Sequence, residues 1–467
     1  MSWQVPFREI SCPQVLGFTL AARGFNVRPS EIVRVPKFDG STRPATDMPV
    51  TDQLLYQASV MSLVTQLYPN LVTFTGSEIN GDYFEFEEYP LSQRRVRYVL
   101  IADAASFYEY VDHDRLAYEL VGTTGDSDAT ESLIALLGAT MNGSKGLPQG
   151  PAASASLSDI YISPVARSLS RAGYRFSRYT DDFRIVATDW TEARRAQVFL
   201  EEAMREIGLT IAPGKLTTPK IATYRAGVRR MSETREITPS LTRGAFVGGY
   251  GWEPIDQVPV SDEEVAAAEI ALRDLSAQKR IDAVATRRMR WAVARLAYGG
   301  SLALLEQLSD ILRRYAHVTQ SISSYIRVLL ESYGEERALA SATDWFADQA
   351  FRYPWQVGWM LHATAYAPLR SRKLAAVARQ FLVSPDLPWF ARGQAAISLA
   401  VHGSLPPQTD YVGIYELCPE ATRPDLVAAV LIGQPSWYGP FLTGVANTPM
   451  LRAVLQLNPA EYQAWLR

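Results

Sequence analysis

The sequence predicts an α+β unit with a small antiparallel sheet over roughly residues 1–258, followed by an all-α domain to residue 467. Three observations carry this expectation. Tyr98-Val99-Leu100-Ile101-Ala102 is a buried-type strand that ends on Asp103. Residues 174–187 hold two β-branched and aromatic runs on either side of Thr180-Asp181-Asp182, the pattern of a hairpin with carboxylates at its tip. Ser261-Asp262-Glu263-Glu264 is a capping box, after which the chain shows almost only helical periodicity.

Taken in order, Glu31–Lys37 reads as a strand leading to a turn at Asp39-Gly40, then Arg43-Pro44, then a helix from about Thr51 to Gln66. After the strand ending at Asp103, Asp112-His113-Asp114 opens a helix. Residues 221–258 are mixed, with Phe246–Tyr250 as a short hairpin. In the tail, Leu302–Leu312, Ser321–Leu330, Lys373–Phe381, Arg392–Ala400 and Arg423–Leu431 read as helices, broken by Pro and Gly. Their pairing over roughly 33–40 residues suggests stacked helix pairs, with too little self-similarity to count repeats.

Composition bounds the function loosely. The chain is 47% hydrophobic and 20% charged, and no apolar run is long enough to span a bilayer, so no membrane role is expected. The first residues lack a signal-peptide plan, and Cys12 and Cys418 match no metal spacing, so a reducing cytoplasmic location is the expectation. Net charge is −3, which leaves nucleic-acid binding to a local basic channel, since phosphate attraction fades within about 10 Å. Of 46 basic residues six are Lys and 40 Arg, a skew that genome composition explains as readily as phosphate recognition.

The chemistry lies in the carboxylates. An adjacent Asp pair in a loop is most often a solvated turn. Here Asp181 and Asp182 sit 78 residues beyond Asp103, itself at a strand end. Hard carboxylate oxygens of this kind suit two Mg2+ ions about 4 Å apart in phosphoryl transfer. Between them lies Leu147-Pro148-Gln149-Gly150, and beyond them Gly208-Leu209 and Lys215.

In that order, Asp103 with Phe107-Tyr108, the Leu147–Gly150 motif, Tyr179-Thr180-Asp181-Asp182 and Gly208-Leu209 through Lys215 resemble the palm of a reverse transcriptase. The resemblance implies a right-hand polymerase. Fingers would occupy 1–100, palm 101–258 and a helical thumb with HEAT-like repeats 259–467. The long helical tail, with Arg352–Trp359, resembles the AbiK-like abortive-infection reverse transcriptases of bacterial phage defence. What this implies is two-metal DNA synthesis from dNTPs, with Asp103 and Asp181 as ligands of two Mg2+, Asp182 supporting and the carbonyl of Ala104 adding an oxygen. Tyr108 would exclude the ribose 2′-hydroxyl, Gln149 and Gly150 would lie against the nucleotide, and Lys37, Arg43 and Lys215 would meet its phosphates. For Lys37, Arg43 and Lys215, solvated turn charges are the plain alternative. Arg288, Trp291 and Arg295 share one helical face that suits a tracked strand, or equally a solvated surface. The family also implies a single-stranded DNA product, start of synthesis on a protein hydroxyl, and assembly as a homo-oligomer, trimer or hexamer. The competing readings are a retron- or intron-like enzyme copying a dedicated non-coding RNA, and a scaffold with a vestigial palm.

Overall fold

A computed structural model describes residues 30–67, 83–237, 260–348, 351 and 353–445. The Phe246–Tyr250 hairpin, Cys12 and Arg352 lie outside the described residues. The fold is a mostly helical polymerase architecture with two small sheets.

The first sheet is a hairpin. Strand β1 (Glu31–Pro36) pairs antiparallel with β2 (Thr42–Asp47), Glu31 opposite Asp47 and Pro36 opposite Thr42. The turn is pinned by Lys37 N–H donating to Ser41 O at 2.7 Å and by Asp39, whose carboxylate accepts from Ser41 N–H at 3.0 Å. Gly40 takes φ +84° there, which a side chain would oppose. Helix α1 (Val50–Leu67) follows, then α2 (Tyr83–Ser92).

The second sheet has the order β3-β5-β4, all antiparallel: β3 (Tyr98–Asp103) is flanked by β5 (Asp182–Ala187), which pairs with β4 (Phe176–Tyr179). The other edge of β3 is met by a segment that the sequence left unstructured. Bridges join Ala104 to Ile211, Ile101 to Thr217 and Tyr98 to Lys220. Short helix α3 (Phe107–Tyr110), α4 (His113–Thr124), α5 (Ser127–Met141), α6 (Ala153–Arg171) and α7 (Trp190–Glu206) surround this sheet, and Phe183, Leu157, Tyr161 and Leu200 fill the core between them. Asp112, Asp126 and Asp189 cap α4, α5 and α7 by accepting from backbone N–H groups three residues on. Residues 221–237, expected as mixed, form helix α8 (Ile221–Ile237). Its Tyr224 and Val228 pack on Val99 of β3, and that tertiary contact decides an Arg-rich stretch whose own periodicity is weak.

The tail begins with α9 (Asp262–Ala277), whose capping box from Ser261 and Glu264 is formed as the sequence predicts. Then come α10 (Ala283–Tyr298), α11 (Leu308–Arg314), α12 (Thr319–Tyr333), α13 (Glu336–Ala347), α14 (Pro354–Thr364), α15 (Arg372–Val383), α16 (Trp389–His402), α17 (Gln408–Leu417), α18 (Arg423–Gly433) and α19 (Tyr438–Val445). Helices α10, α12, α14, α16 and α18 pack each on the next, while α13 lies on α15 in a second row. Their first residues, Ala283, Thr319, Pro354, Trp389 and Arg423, advance by 36, 35, 35 and 34 residues, a regular helix-pair period. Each pair is too thin to bury its own apolar face, and stacking supplies one continuous core.

That core also contains Val33, Val35 and Ala45 of the β1–β2 hairpin. The carboxylate of Glu31 accepts from Trp389 N–H at 2.8 Å and Phe390 N–H at 3.2 Å, at the start of α16. Tyr353 Oη donates to Gly40 O at 3.0 Å. The hairpin, adjacent in sequence to the α+β unit, is thus seated on the tail.

Candidate active site

Asp103 is the last residue of β3 and stands directly opposite Asp182, the first residue of β5. Tyr179 pairs with Asp182, so Thr180 and Asp181 alone make the turn between β4 and β5. A two-residue connection needs positive φ, and Thr180 supplies it at +49°. Two contacts hold this conformation: Thr180 Oγ1 donates to Asp181 Oδ1 at 2.9 Å, and Arg178 donates to Thr180 O at 2.8 Å. Arg178 is itself anchored by an ion pair with Asp159 on α6. The Asp pair therefore sits at the hairpin tip as expected, with Asp182 already in the sheet.

The carboxylates crowd one another. Burial, and then the negative charge of Asp103, raises the carboxyl pKa of Asp181. Asp182 is pushed up to about 7, first by burial, with Asp103 and Asp181 adding to it and Arg184 opposing. Lys215 is brought in by the third-edge segment: Ala212 N–H donates to Asp103 O at 2.8 Å, and the 3-10 turn Pro213–Lys215 swings the ammonium onto Asp103 Oδ2 in an ion pair. Arg184 Nη1 lies 3.6 Å from Asp182 Oδ1 and its Nη2 2.6 Å from Glu87 Oε1. The guanidinium also covers the Phe86 ring at 4.6 Å.

Among the described residues no three Asp, Glu, His or Cys side chains stand together closely enough to hold a metal ion. Asp103 is turned onto Lys215, and Asp182 lies beside Arg184. The donor set itself fits a hard divalent cation. It consists of carboxylate oxygens only, on a rigid strand end and a tight turn, with mutual repulsion that a cation would relieve.

The second motif is stitched to its surroundings. Leu147 N–H donates to Tyr108 O at 2.7 Å, Gly146 N–H donates to Val111 O at 2.8 Å, and Gln149 exchanges backbone and side-chain bonds with Thr46 of β2. Ser154 Oγ donates to Pro148 O at 2.6 Å and shares a 2.8 Å bond with Tyr56 of α1. Gly146 at φ +99° and Gly150 at φ +131° carry the chain through conformations closed to other residues. Phe107 is buried, and Tyr108 is half-buried beside it, its hydroxyl 3.4 Å from Ser158 Oγ.

Lys37 is drawn toward the same centre. Its ammonium pKa is lowered by burial and then by Arg43 and Lys215, with Asp39 and Asp103 opposing. The structure thus gathers Asp103, Ala104, Asp181, Asp182, Lys215, Lys37 and Arg43 in one neighbourhood. It does not bring Trp291 and Arg295 there as a surface. Trp291 is 7% exposed and Arg295 8%, packed in the tail core with Arg295 Nε 3.3 Å from Glu264. A strand could not lie on them; Arg288, half-buried, alone of the three reaches the surface.

Sequence reasoning missed several supports. His113 was assigned no role, yet its buried ring donates from Nε2 to Gly146 O at 2.7 Å and steadies the second motif. Glu87 and Tyr224 fix Arg184 from 97 residues before Asp182's strand partner and from α8, a separation no local pattern announces.

Residues 35–226 match the family model described as reverse transcriptase (RNA-dependent DNA polymerase). No curated protein matches the sequence. Among solved structures, telomerase from Candida tropicalis in complex with a TWJ fragment of telomeric RNA aligns at 12% identity and TM-score 0.33, over 94% of this chain. The chain spans 64% of that protein's length, and at this TM-score the likeness is too loose to compare parts. With the reverse transcriptase domain at residues 35–226 built around Asp103 and the Asp181-Asp182 turn, the protein is an RNA-directed DNA polymerase type of nucleotidyltransferase.

Proposed function

We propose that Asp103, Asp181 and Asp182 form the catalytic centre of a DNA polymerase of the reverse-transcriptase class. The observation that carries this is the register of the sheet, which sets Asp103 against Asp182 with Asp181 in the adjoining turn. Two Mg2+ ions bound there would supply electrostatic stabilisation of charge on the transferred phosphoryl group. Asp103 and Asp181 would hold them, with Asp182 and the carbonyl of Ala104 in support. Asp103 exchanges its bond to Lys215 for the cation, which frees Lys215 to face the departing pyrophosphate. Gln149 and Gly150 lie against the nucleotide, and Tyr108 closes the space a 2′-hydroxyl would need.

The finer reading is an abortive-infection, AbiK-like enzyme of anti-phage defence, cytoplasmic and homo-oligomeric as a trimer or hexamer. It is supported by the regular helix-pair tail, which suits a HEAT-like repeat domain over 259–467 behind fingers (1–100) and palm (101–258). Its product is single-stranded DNA started on a protein hydroxyl, without or with a non-coding RNA template.

The test is incorporation of dNTPs by purified protein with magnesium. Asp103→Asn and Asp181→Asn should each abolish it while thermal unfolding stays unchanged. Residual incorporation within tenfold of wild type in either variant would refute the metal assignment. Product that migrates free of polypeptide after denaturing electrophoresis without protease would refute protein priming.

A further inference from the structure

We propose that Arg287 and Arg290 of tail helix α10 join Lys37, Arg43 and Lys215 in one cationic pocket that takes the triphosphate of the incoming nucleotide. This rests on the polymerase reading above and extends the site beyond the reverse transcriptase domain, because α10 lies outside residues 35–226.

The geometry ties the two regions together. The turn that carries Lys37 and precedes Arg43 rests on the tail: the Phe38 ring meets the His317 ring edge-on at 6.5 Å. His317 Nε2 is 2.9 Å from Thr286 Oγ1 on α10, the residue before Arg287. Tyr353 holds the same turn through Gly40 O. Arg290 lies three residues beyond Arg287 and on its side of the helix. At the other end Lys215 is bonded to Asp103, so the cations run from the carboxylate centre outward to α10.

These groups repel one another. Burial, then Arg287 and Arg43, lowers Arg290 to about 10. Burial, then Arg43 and Lys215, lowers Lys37. Burial and Arg290 lower His317 to about 4, so it is neutral at pH 7 and adds no charge. Cations assembled at such a cost are stabilised by a polyanion, and guanidinium forks match phosphate oxygens two at a time. A triphosphate fits better than a nucleic-acid strand because one end of the row is the carboxylate centre itself, where the reacting phosphorus must lie.

The experiment uses the full chain and three variants, Arg287→Gln, Arg290→Gln and the conservative Arg290→Lys. Inorganic tripolyphosphate binding is measured by titration calorimetry, and KM and kcat for dNTP incorporation are measured alongside. Each Gln variant should weaken tripolyphosphate at least tenfold and raise KM by a similar factor with kcat within threefold of wild type. Arg290→Lys should recover most of the loss with an unchanged melting temperature, separating charge from packing. Unchanged tripolyphosphate affinity and KM, or a loss confined to single-stranded DNA binding, would overturn the proposal. If wild type incorporates nothing yet binds tripolyphosphate through these arginines, the polymerase reading falls while the anion pocket stands.

Discussion

Replacing Glu31 with Gln should stabilise the protein in alkaline solution and leave it nearly unchanged in acid. Glu31 lies where the β1–β2 hairpin meets α16, and burial pushes its carboxyl up from the ordinary 4.5 to about 7, with Asp47 adding to the shift. Bonds from Trp389 and Phe390 N–H and the charge of Arg392 pull the other way and lose. Asp47, its cross-strand partner, is raised to about 6, and Asp425 on α18 to about 8, both chiefly by burial. A carboxyl whose folded pKa is raised binds protons more tightly folded than unfolded. Its contribution therefore favours the fold at low pH and declines as pH climbs from the unfolded value toward the folded one. For Glu31 alone, linkage between 4.5 and about 7 gives a loss of about 2.5 kcal/mol between pH 5 and pH 8. Gln keeps an oxygen for the two N–H donors and cannot ionise, so Glu31→Gln escapes that loss. At roughly 2–4 °C per kcal/mol for a unit of about 200 residues, the variant should melt roughly 5–10 °C above wild type at pH 8. At pH 5 the two should agree within a few degrees. Thermal unfolding followed by circular dichroism at both pH values is the assay. Parallel loss of stability in wild type and variant over this window would refute the reasoning.

Other outcomes follow from the same structure. Tyr108→Ala should narrow the preference for deoxynucleotides at least tenfold in competition with ribonucleotides, whereas full discrimination in an active variant would place the gate elsewhere. Phe107→Ala, in the buried ring beside it, should instead cost roughly 3–5 kcal/mol by denaturant unfolding with discrimination kept. Trp291→Ala should behave as a core deletion of similar size, and a selective loss of DNA affinity in a protein of unchanged stability would contradict its burial. His113→Phe removes the donor to Gly146 O and should lower incorporation by disordering the second motif; unchanged kcat and KM would show that the bond is dispensable.

Much of this was legible from short-range pattern. The Asp turn, the strand ending at Asp103 and the capping box at Ser261 are local features, each specified within a few residues by alternation, turn chemistry or cap chemistry. The charge row was half legible: Lys37 and Arg43 flank a readable turn, but Arg287 and Arg290 meet them only through tertiary packing. Periodicity also misassigned the α10 face. Arg288, Trp291 and Arg295 do share one stripe, but α9 and α12 cover most of α10, so its Trp and one Arg turn inward. Lys215 lay on no predicted element, because the edge it completes forms only once β3 exists to receive residues 211–220.

The seating of the β1–β2 hairpin in the tail core makes the tail a jaw rather than an appendage. Cutting the chain near residue 260 would bare Val33, Val35 and Ala45 and strand Glu31 without the α16 amides it binds. An isolated catalytic half should therefore aggregate or lose its phosphate-facing turn. Any opening that admits a substrate must likewise carry hairpin and tail together as one lever against the carboxylate sheet.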